Sequence, residues 1–324
     1  MNMVRNMKVL SIKEPYATLI CNKKKSIETR SYKTNYRGEL YIHASVSKID
    51  RDTLNNKELM DIVNDDNFNY GKIICKCKLA NCVYMTSDYI KEIEKNKQEY
   101  TCGYYEVGRY AWVLEDIEPL DIKIDAVGNL GIWNYYTLDD TVNIMNNIEY
   151  GYIDSDNKRH TEIDNLVNDN YILQSPNKLL KTKLGLCYDQ VELERFLLQK
   201  NKWNVETYFM IGKSSEYHTH TFLIFEKDNK YYWLENSWKR FKGIHEYNSK
   251  SDLINDVKTR FIKYELDGID NVEIHKYSKP KYNITLEEYN NHCLNGEISQ
   301  EEFNWYKKLQ SKEYRKNSNF LRKN

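Results

Sequence analysis

The sequence predicts an α+β chain in two parts: a small curled β-barrel-like domain, then a domain of helices and antiparallel strands. Three observations carry that expectation. The length of 324 residues suits two domains. Residues 1–136 read as short strand-like runs bounded by polar clusters. From Leu138 the apolar spacing becomes helical, and strand-like runs return from Val205.

In the first part KVLSI, ELYIHA, GKIICKCKLANCVYM and RYAWVLEDI are the strand candidates. Tyr16–Asn22, which follows Pro15, and Asp50–Val63 are the helix candidates. This inventory suits a small barrel ending near Tyr136. In the second part TLDDTVNIMNNIEYG places Leu138, Val142 and Met145 at helical spacing, and an acidic loop follows. Ser175–Pro176 can open a short helix, since proline is pre-set for a first turn, and Gly185 breaks it. Another helix starts at or just before Cys187 and carries Val191, Glu194, Arg195 and Leu198. VETYFMIG, THTFLIFEK and KYYWLENSW read as strands, with EKDNK as a tight turn between the last two. SDLINDVKTRFIKY is a helix with Ser251 as its N-cap. Beyond Lys281, ITLEEYNNHCLNG and SQEEFNWYKKLQSKEYRKN read as two closing helices. The expected limits are 1–136, 137–282 and a basic helical extension over 283–324.

Composition excludes several classes. Twenty-eight Tyr and six Trp do not fit an aromatic-poor disordered chain. No window approaches the roughly 18 consecutive apolar residues of a membrane span. The N-terminus lacks a continuous apolar signal core. These features read as a cytoplasmic protein with no membrane partner. Seven cysteines, an odd number, argue against a disulfide framework. Basic and acidic residues balance at 48 each, but not locally. Residues 1–48 hold ten Lys/Arg against three acids; residues 137–175 hold eight acids against two bases. Residues 306–324 hold seven bases against one acid. The basic N-terminal stretch is interleaved with aromatics, which suits a polyanion groove.

Cys75-x-Cys77-x₄-Cys82, with Cys102 later, resembles a metal site at first sight. Alternation instead puts Ile73, Cys75, Cys77 and Leu79 on one strand face, as small core residues. No metal or cofactor is expected.

The chemistry concentrates around Cys187. It lies at a Gly-x-Cys entry into a helix, whose positive end favours a thiolate. Asp189, Glu192 and Glu194 oppose that effect with like charge. His218 and His220 open the next strand but one, and Glu235, followed by Asn236, ends the strand after that. Antiparallel pairing would bring His220 beside Glu235. A thiol, a base and an orienting acid are then together. An ordinary core cysteine and a structural histidine are the plainer alternative.

SPNKLLKTKLGLCYDQVELERFLL, HTFLIFEKDNKYYWLENSW and GIHEY resemble the transglutaminase-like superfamily of papain-fold proteins, over about Leu138 to Tyr282. The resemblance implies a papain-like α+β domain with an antiparallel sheet. It implies Cys187 as nucleophile, His220 as base and Glu235 as orienter, in a hydrolase or acyltransferase acting on an amide, ester or thioester. The substrate at the cysteine would be a protein or a small acyl or amide compound. Glu235 stands where Asp is usual, with Asn236 as alternate, and His218 competes with His220. The Cys187 N–H is one oxyanion donor and Gln174 a candidate second.

VLSIKEPYATLICNKKKSIETRSYKTNYRGELYIHAS and YYEVGRYAWVLEDIEPL are similar to the ASCH family, a PUA-like β-barrel associated with RNA. The family's G-x-K-x-x-E-x-R signature appears as Lys23, Lys25, Glu28 and Arg30. The resemblance implies an RNA- or nucleotide-binding groove in which Lys25 and Arg30 contact phosphates. Glu28, Arg37, His43, Ser45 and Arg109 join them, and Tyr110 or Trp112 stacks a base. Some proteins of this fold hydrolyse acylated nucleosides with a lysine at the Lys25 position, but Glu28 stands where that activity uses Thr. A binding protein with a catalytically degenerate second domain is the non-enzymatic alternative.

Overall fold

The computed structural model describes residues 7–64, 68–163, 167–213, 217–266, 268 and 271–294. The chain folds as two compact units, Met1–Thr137 with Lys200–Lys202, and Leu138–Gln199 with Trp203–Asn324.

The first unit is built on strands β1 (Met7–Ile12), β2 (Ile27–Arg30), β3 (Gly38–Ala44), β4 (Lys72–Tyr84), β5 (Tyr110–Asp125) and β6 (Ile132–Tyr135). They form one open sheet in the order β2-β5-β4-β3-β1-β6, antiparallel except for β1 against β3. Bulges interrupt the β3–β4 and β4–β5 ladders, and each extra residue adds local bend and twist. The curl is deep enough that Arg30, on edge strand β2, donates to the Ser11 carbonyl of β1 at 3.1 Å. Leu10, Ile42, Cys75, Cys77, Leu79 and Trp112 share one core within this curl.

Helix α1 (Tyr16–Cys21) packs its apolar face into that core. The stretch expected as one helix over Asp50–Val63 is two, α2 (Arg51–Asn55) and α3 (Lys57–Val63). Asn56 separates them because its side chain caps α3 through the Leu59 N–H. Helices α4 (Ser87–Glu94) and α5 (Lys97–Thr101) complete the unit. The bulge between Ile73 and Cys75 also corrects the cysteine alternation. Ile74 packs with Cys75 and Cys77, while Ile73 joins Val9 and Trp133 in a separate core.

The second unit opens with α6 (Leu138–Met145), which stops before the IEYG segment expected to extend it. Strands β7 (Glu149–Tyr150), β8 (Tyr152–Ile153) and β9 (Arg159–His160) follow, then helices α7 (Val167–Asn170) and α8 (Pro176–Thr182). Ser175 caps α8 as its sequence suggests, accepting from the Lys178 N–H. The helix ends at a left-handed Lys183, before Gly185. Gly185 sits instead in β10 (Leu184–Gly185), which pairs in parallel with β7.

Helix α9 (Cys187–Leu198) then packs on a sheet of β11 (Asn204–Lys213), β12 (Tyr217–Lys227), β13 (Lys230–Glu235), β14 (Gly243–Tyr247) and β15 (Val272–Tyr277). The order is β14-β13-β12-β11-β15, all antiparallel. The expected tight turn is Asp228–Asn229, both at positive φ, joining β12 to β13. One face of the sheet packs Phe209, Leu223, Phe225 and Leu234 against Leu186, Val191 and Leu198. The other packs Met210, Phe222, Ile224 and Trp233 against α10 (Lys250–Glu265). The cap of α10 is Ser249 rather than Ser251, its hydroxyl accepting from the Asp252 N–H. Helix α11 (Leu286–Leu294) belongs to the core of this unit through Leu286, Tyr289 and Cys293. The second closing helix and the basic stretch 306–324 lie outside the described residues.

A side chain at position 185 would place Cβ 2.8 Å from both Asp189 Cβ and Leu179 Cδ1. Gly185→Ala is therefore expected to destabilise the second unit by about 1–3 kcal/mol, read from urea denaturation.

Candidate functional site

Cys187 is the first residue of α9, and its N-cap, Leu186, has no side-chain acceptor for the orphan N–H groups of the helix start. Asp189 supplies one. Its Oδ2 accepts from the Leu186 N–H at 2.9 Å and its Oδ1 from the Gln174 N–H at 2.8 Å. Burial pushes this carboxyl up to about 7 in spite of both donors. Gln190 fixes the next turn, donating to the Gly185 carbonyl at 2.8 Å and accepting from Asn236 at 2.6 Å. The hydroxyls of Tyr188 and Thr219 lie 2.6 Å apart. The residue after Cys187 is thus tied to the residue before His220.

His220 Nε2 lies 2.9 Å from Glu235 Oε2. Glu235 Oε1 accepts from Ser237 Oγ at 2.9 Å and the Trp238 N–H at 2.8 Å, so both carboxylate oxygens are engaged. The Trp238 ring centroid is 5.3 Å from that of His220. Burial disfavours charge on the imidazole, but the Glu235 carboxylate and hydrogen bonding with Cys187 outweigh it and raise His220 to about 10. Burial also acts against a charged Glu235, yet His220 and the Trp238 and Ser237 donors hold it below the usual carboxylate range. With Nε2 turned to Glu235, Nδ1 is the ring nitrogen available to Cys187.

Cys187, His220 and His218 line one cavity of about 480 Å³, walled by Tyr150, Tyr188, Tyr217 and Trp238. A nucleophile, a base and an orienting carboxylate in such a cavity can carry acyl transfer. The structure thus brings Cys187, His220 and Glu235 together. His218 lines the cavity, while Asn236 is turned to Gln190 and does not orient His220. Gln174 requires a correction. Its amide nitrogen donates to the Leu184 carbonyl at 2.8 Å and its oxygen accepts from Thr182 at 2.8 Å. It is buried outside the cavity lining, and its role is to hold the α8–α9 connection. The neighbouring acids are also accounted for. Glu192 pairs with Arg195 at 3.1 Å, and burial first, then Glu235, push Glu194 well above the carboxylate range.

The groove residues of the first unit separate. Register places Arg30, Tyr110 and Tyr84 in one row across β2, β5 and β4, with Glu28, Trp112 and Cys82 in the next. Cross-strand partners share a face, so these six form one surface. Arg30 lies 3.3 Å from Glu28 and 6.0 Å from the Trp112 ring centroid. Trp112 is buried, as a floor, while Tyr84 and Tyr32 are exposed beside Tyr110 and Trp112. Register reveals Tyr84, and the ring contact with Trp112 reveals Tyr32; the motif marks neither. Arg109 lies over Tyr104 at 5.0 Å and donates to the Thr29 carbonyl, and Arg37 bonds the carbonyls of Thr34 and Tyr36.

Three expected groove residues are corrected. His43 is buried, 3.1 Å from Ser11 Oγ and 3.2 Å from the Ala126 carbonyl, and burial lowers its pKa, so it is a neutral structural group. The Ser45 hydroxyl is buried. Lys25 is only 2% exposed, its Nζ 5.9 Å from the ring centroids of both Tyr16 and Tyr105. The ammonium is held among aromatics rather than presented to a groove. Among the described residues, no cluster of three or more His, Cys, Asp or Glu could hold a metal ion, and no helix is long and apolar enough to cross a membrane.

Removing the carboxylate charge in Glu235→Gln should lower the His220 pKa by about 1–3 units, read by NMR titration of the ring. The stability of the pair follows the same shifts. A raised histidine stabilises fully below its unfolded value, and a depressed glutamate fully above its own. The pair is therefore strongest between about pH 4.3 and 6.5. Its contribution falls as pH rises through about 10. Thermal unfolding across that upper range should show the loss in the native chain and not in Glu235→Gln.

No curated protein matches the chain. The family model of the ASCH domain matches residues 10–123, which cover the β1–β5 core of the first unit. The chain therefore carries an ASCH domain at residues 10–123.

Proposed function

We propose that the second unit is a cysteine hydrolase or acyltransferase resembling the transglutaminase-like superfamily, coupled to an RNA- or nucleotide-binding ASCH domain. The observation that carries the enzymatic reading is the 2.9 Å His220–Glu235 bond beside a cavity that Cys187 lines. With His220 already carrying the proton shared with the thiol, Cys187 Sγ attacks the carbonyl carbon of an amide, ester or thioester. Collapse of the tetrahedral intermediate breaks the bond to the leaving group, and His220 returns the proton to it. Water, or a second nucleophile, then releases the acyl group from sulfur. Glu235 holds the ring in one tautomer and stabilises the imidazolium.

The binding reading of the first unit is supported by the ASCH match and by the row of Arg30, Tyr110 and Tyr84, in which Tyr84 is exposed and the other two are half-buried. An arginine contacts phosphate or a base edge, and tyrosine faces stack bases. The burial of Lys25 does not favour nucleoside deacylation in this unit.

Iodoacetamide at limiting concentration should label Cys187 ahead of Cys82, the cysteine left only partly buried. His220→Ala should slow that labelling by about 10²–10⁴-fold, the range of a lost general base. Equal labelling of the two cysteines, mapped by mass spectrometry, would leave the binding protein with a degenerate second domain as the reading. Binding of a single-stranded RNA should weaken steeply with salt. Arg30→Ala should weaken it by about 1–3 kcal/mol, and Cys187→Ala should not. An affinity indifferent to both salt and Arg30 would sink the groove.

A further inference from the structure

Gln174 leaves the cysteine site with one oxyanion donor, the backbone N–H of Cys187. As the first residue of α9 it has no intrahelical acceptor. A second donor would come from the cavity wall. Its hydroxyls are those of Tyr150, Tyr188, Tyr217, Thr219 and Ser237, and Ser237 is engaged with Glu235. The Tyr188 hydroxyl is engaged with Thr219, and Tyr217 has partners of its own. The Tyr150 hydroxyl has no hydrogen-bond partner among the described residues.

The backbone brings Tyr150 to this place. It is the last residue of β7, paired in register with Gly185 of β10, two residues before Cys187. The next position must be glycine, because a Cβ at 151 would stand 2.3 Å from the His160 carbonyl oxygen. The chain is thus pinned on both sides of the tyrosine. Desolvation of the hydroxyl, then the Cys187 charge, raise the phenol although 38% of the residue's surface is exposed, so it is a proton donor at neutral pH.

We infer that the Tyr150 hydroxyl is the side-chain oxyanion donor of the Cys187 site, acting with the Cys187 N–H. This rests on the acyl-transfer reading above. When Sγ bonds to the carbonyl carbon, the π pair moves to oxygen, and the two donors hold that charge until the bond to the leaving group breaks. Donors of this kind act on acylation and not on displacement at a saturated carbon, where no oxyanion forms.

Two reagents therefore separate the roles in the full-length chain. p-Nitrophenyl acetate acylates the sulfur through a tetrahedral intermediate and releases p-nitrophenolate. Iodoacetamide alkylates the same sulfur at its CH₂ carbon, with loss of iodide. Tyr150→Phe should lower the saturating acylation rate by about 10²–10³-fold. Its KM should barely move, and its iodoacetamide rate constant should stay near that of the native chain, which also reports an intact site. Unchanged acylation would overturn the inference, as would equal losses in both reactions, since those place Tyr150 behind the thiol or the fold. If the native Cys187 alkylates preferentially but is never acylated, the acyl-transfer reading itself falls, and the role of Tyr150 with it.

Discussion

The cysteine site depends on a single buried carboxylate. Asp189 sits in the first turn of α9 and binds the N–H of the N-cap and the N–H of Gln174. Those two bonds fix where the helix starts, and so where Cys187 stands. Without them a buried helix end would leave orphan donors with no water to satisfy them, at a cost of about 1–3 kcal/mol each. The same bonds hold the α8–α9 connection, on which β10 lies. Through the β10–β7 pairing they reach Tyr150. Asp189 reads in the sequence as a negative charge that works against a thiolate. In the fold its oxygens are turned to backbone donors, and burial pushes the carboxyl up to about 7.

The sheet positions the other half of the site by a different rule. His220 and Glu235 come from adjacent strands, but the β12–β13 ladder stops at Leu223 and Leu234. Glu235 reaches the imidazole diagonally, from one residue beyond the last pair. An aspartate there would be shorter by one C–C bond, about 1.5 Å. It would have to give up either the 2.9 Å contact with His220 or its bonds to Ser237 and Trp238. Glutamate at this position is thus a matter of reach.

Legibility in the sequence followed interaction range. The Ser175–Pro176 helix start, the Asp228–Asn229 turn and the Cys187 helix entry depend on residues a few positions apart, and all are readable. The His220–Glu235 pairing is readable because a two-residue turn fixes the register of its strands. Tyr150 is not, because a two-residue strand carries no periodicity and its partner is 35 positions away in the chain. Gln174 misled for the reverse reason. Its place just upstream of the cysteine suits an oxyanion donor, but local bonds to Leu184 and Thr182 claim both ends of its amide. In the first unit the bulges upset the cysteine alternation, since one extra residue exchanges the faces of everything beyond it.

The same contrast separates the candidate groove residues from the merely basic ones. Ten bases in the first 48 residues suggest a charged groove, but charge in a sequence does not say which side chains water can reach. Lys25 is drawn inward because its alkyl stem is apolar and two tyrosine rings can hold its ammonium. Arg30 is kept at the surface row by a planar fork that serves three neighbours at once: Glu28, the Ser11 carbonyl and the Trp112 face. A lysine could satisfy one of these as a point charge. The residue that closes the curl of the sheet is therefore also the one on which the proposed groove rests, and Arg30→Lys should disturb both together.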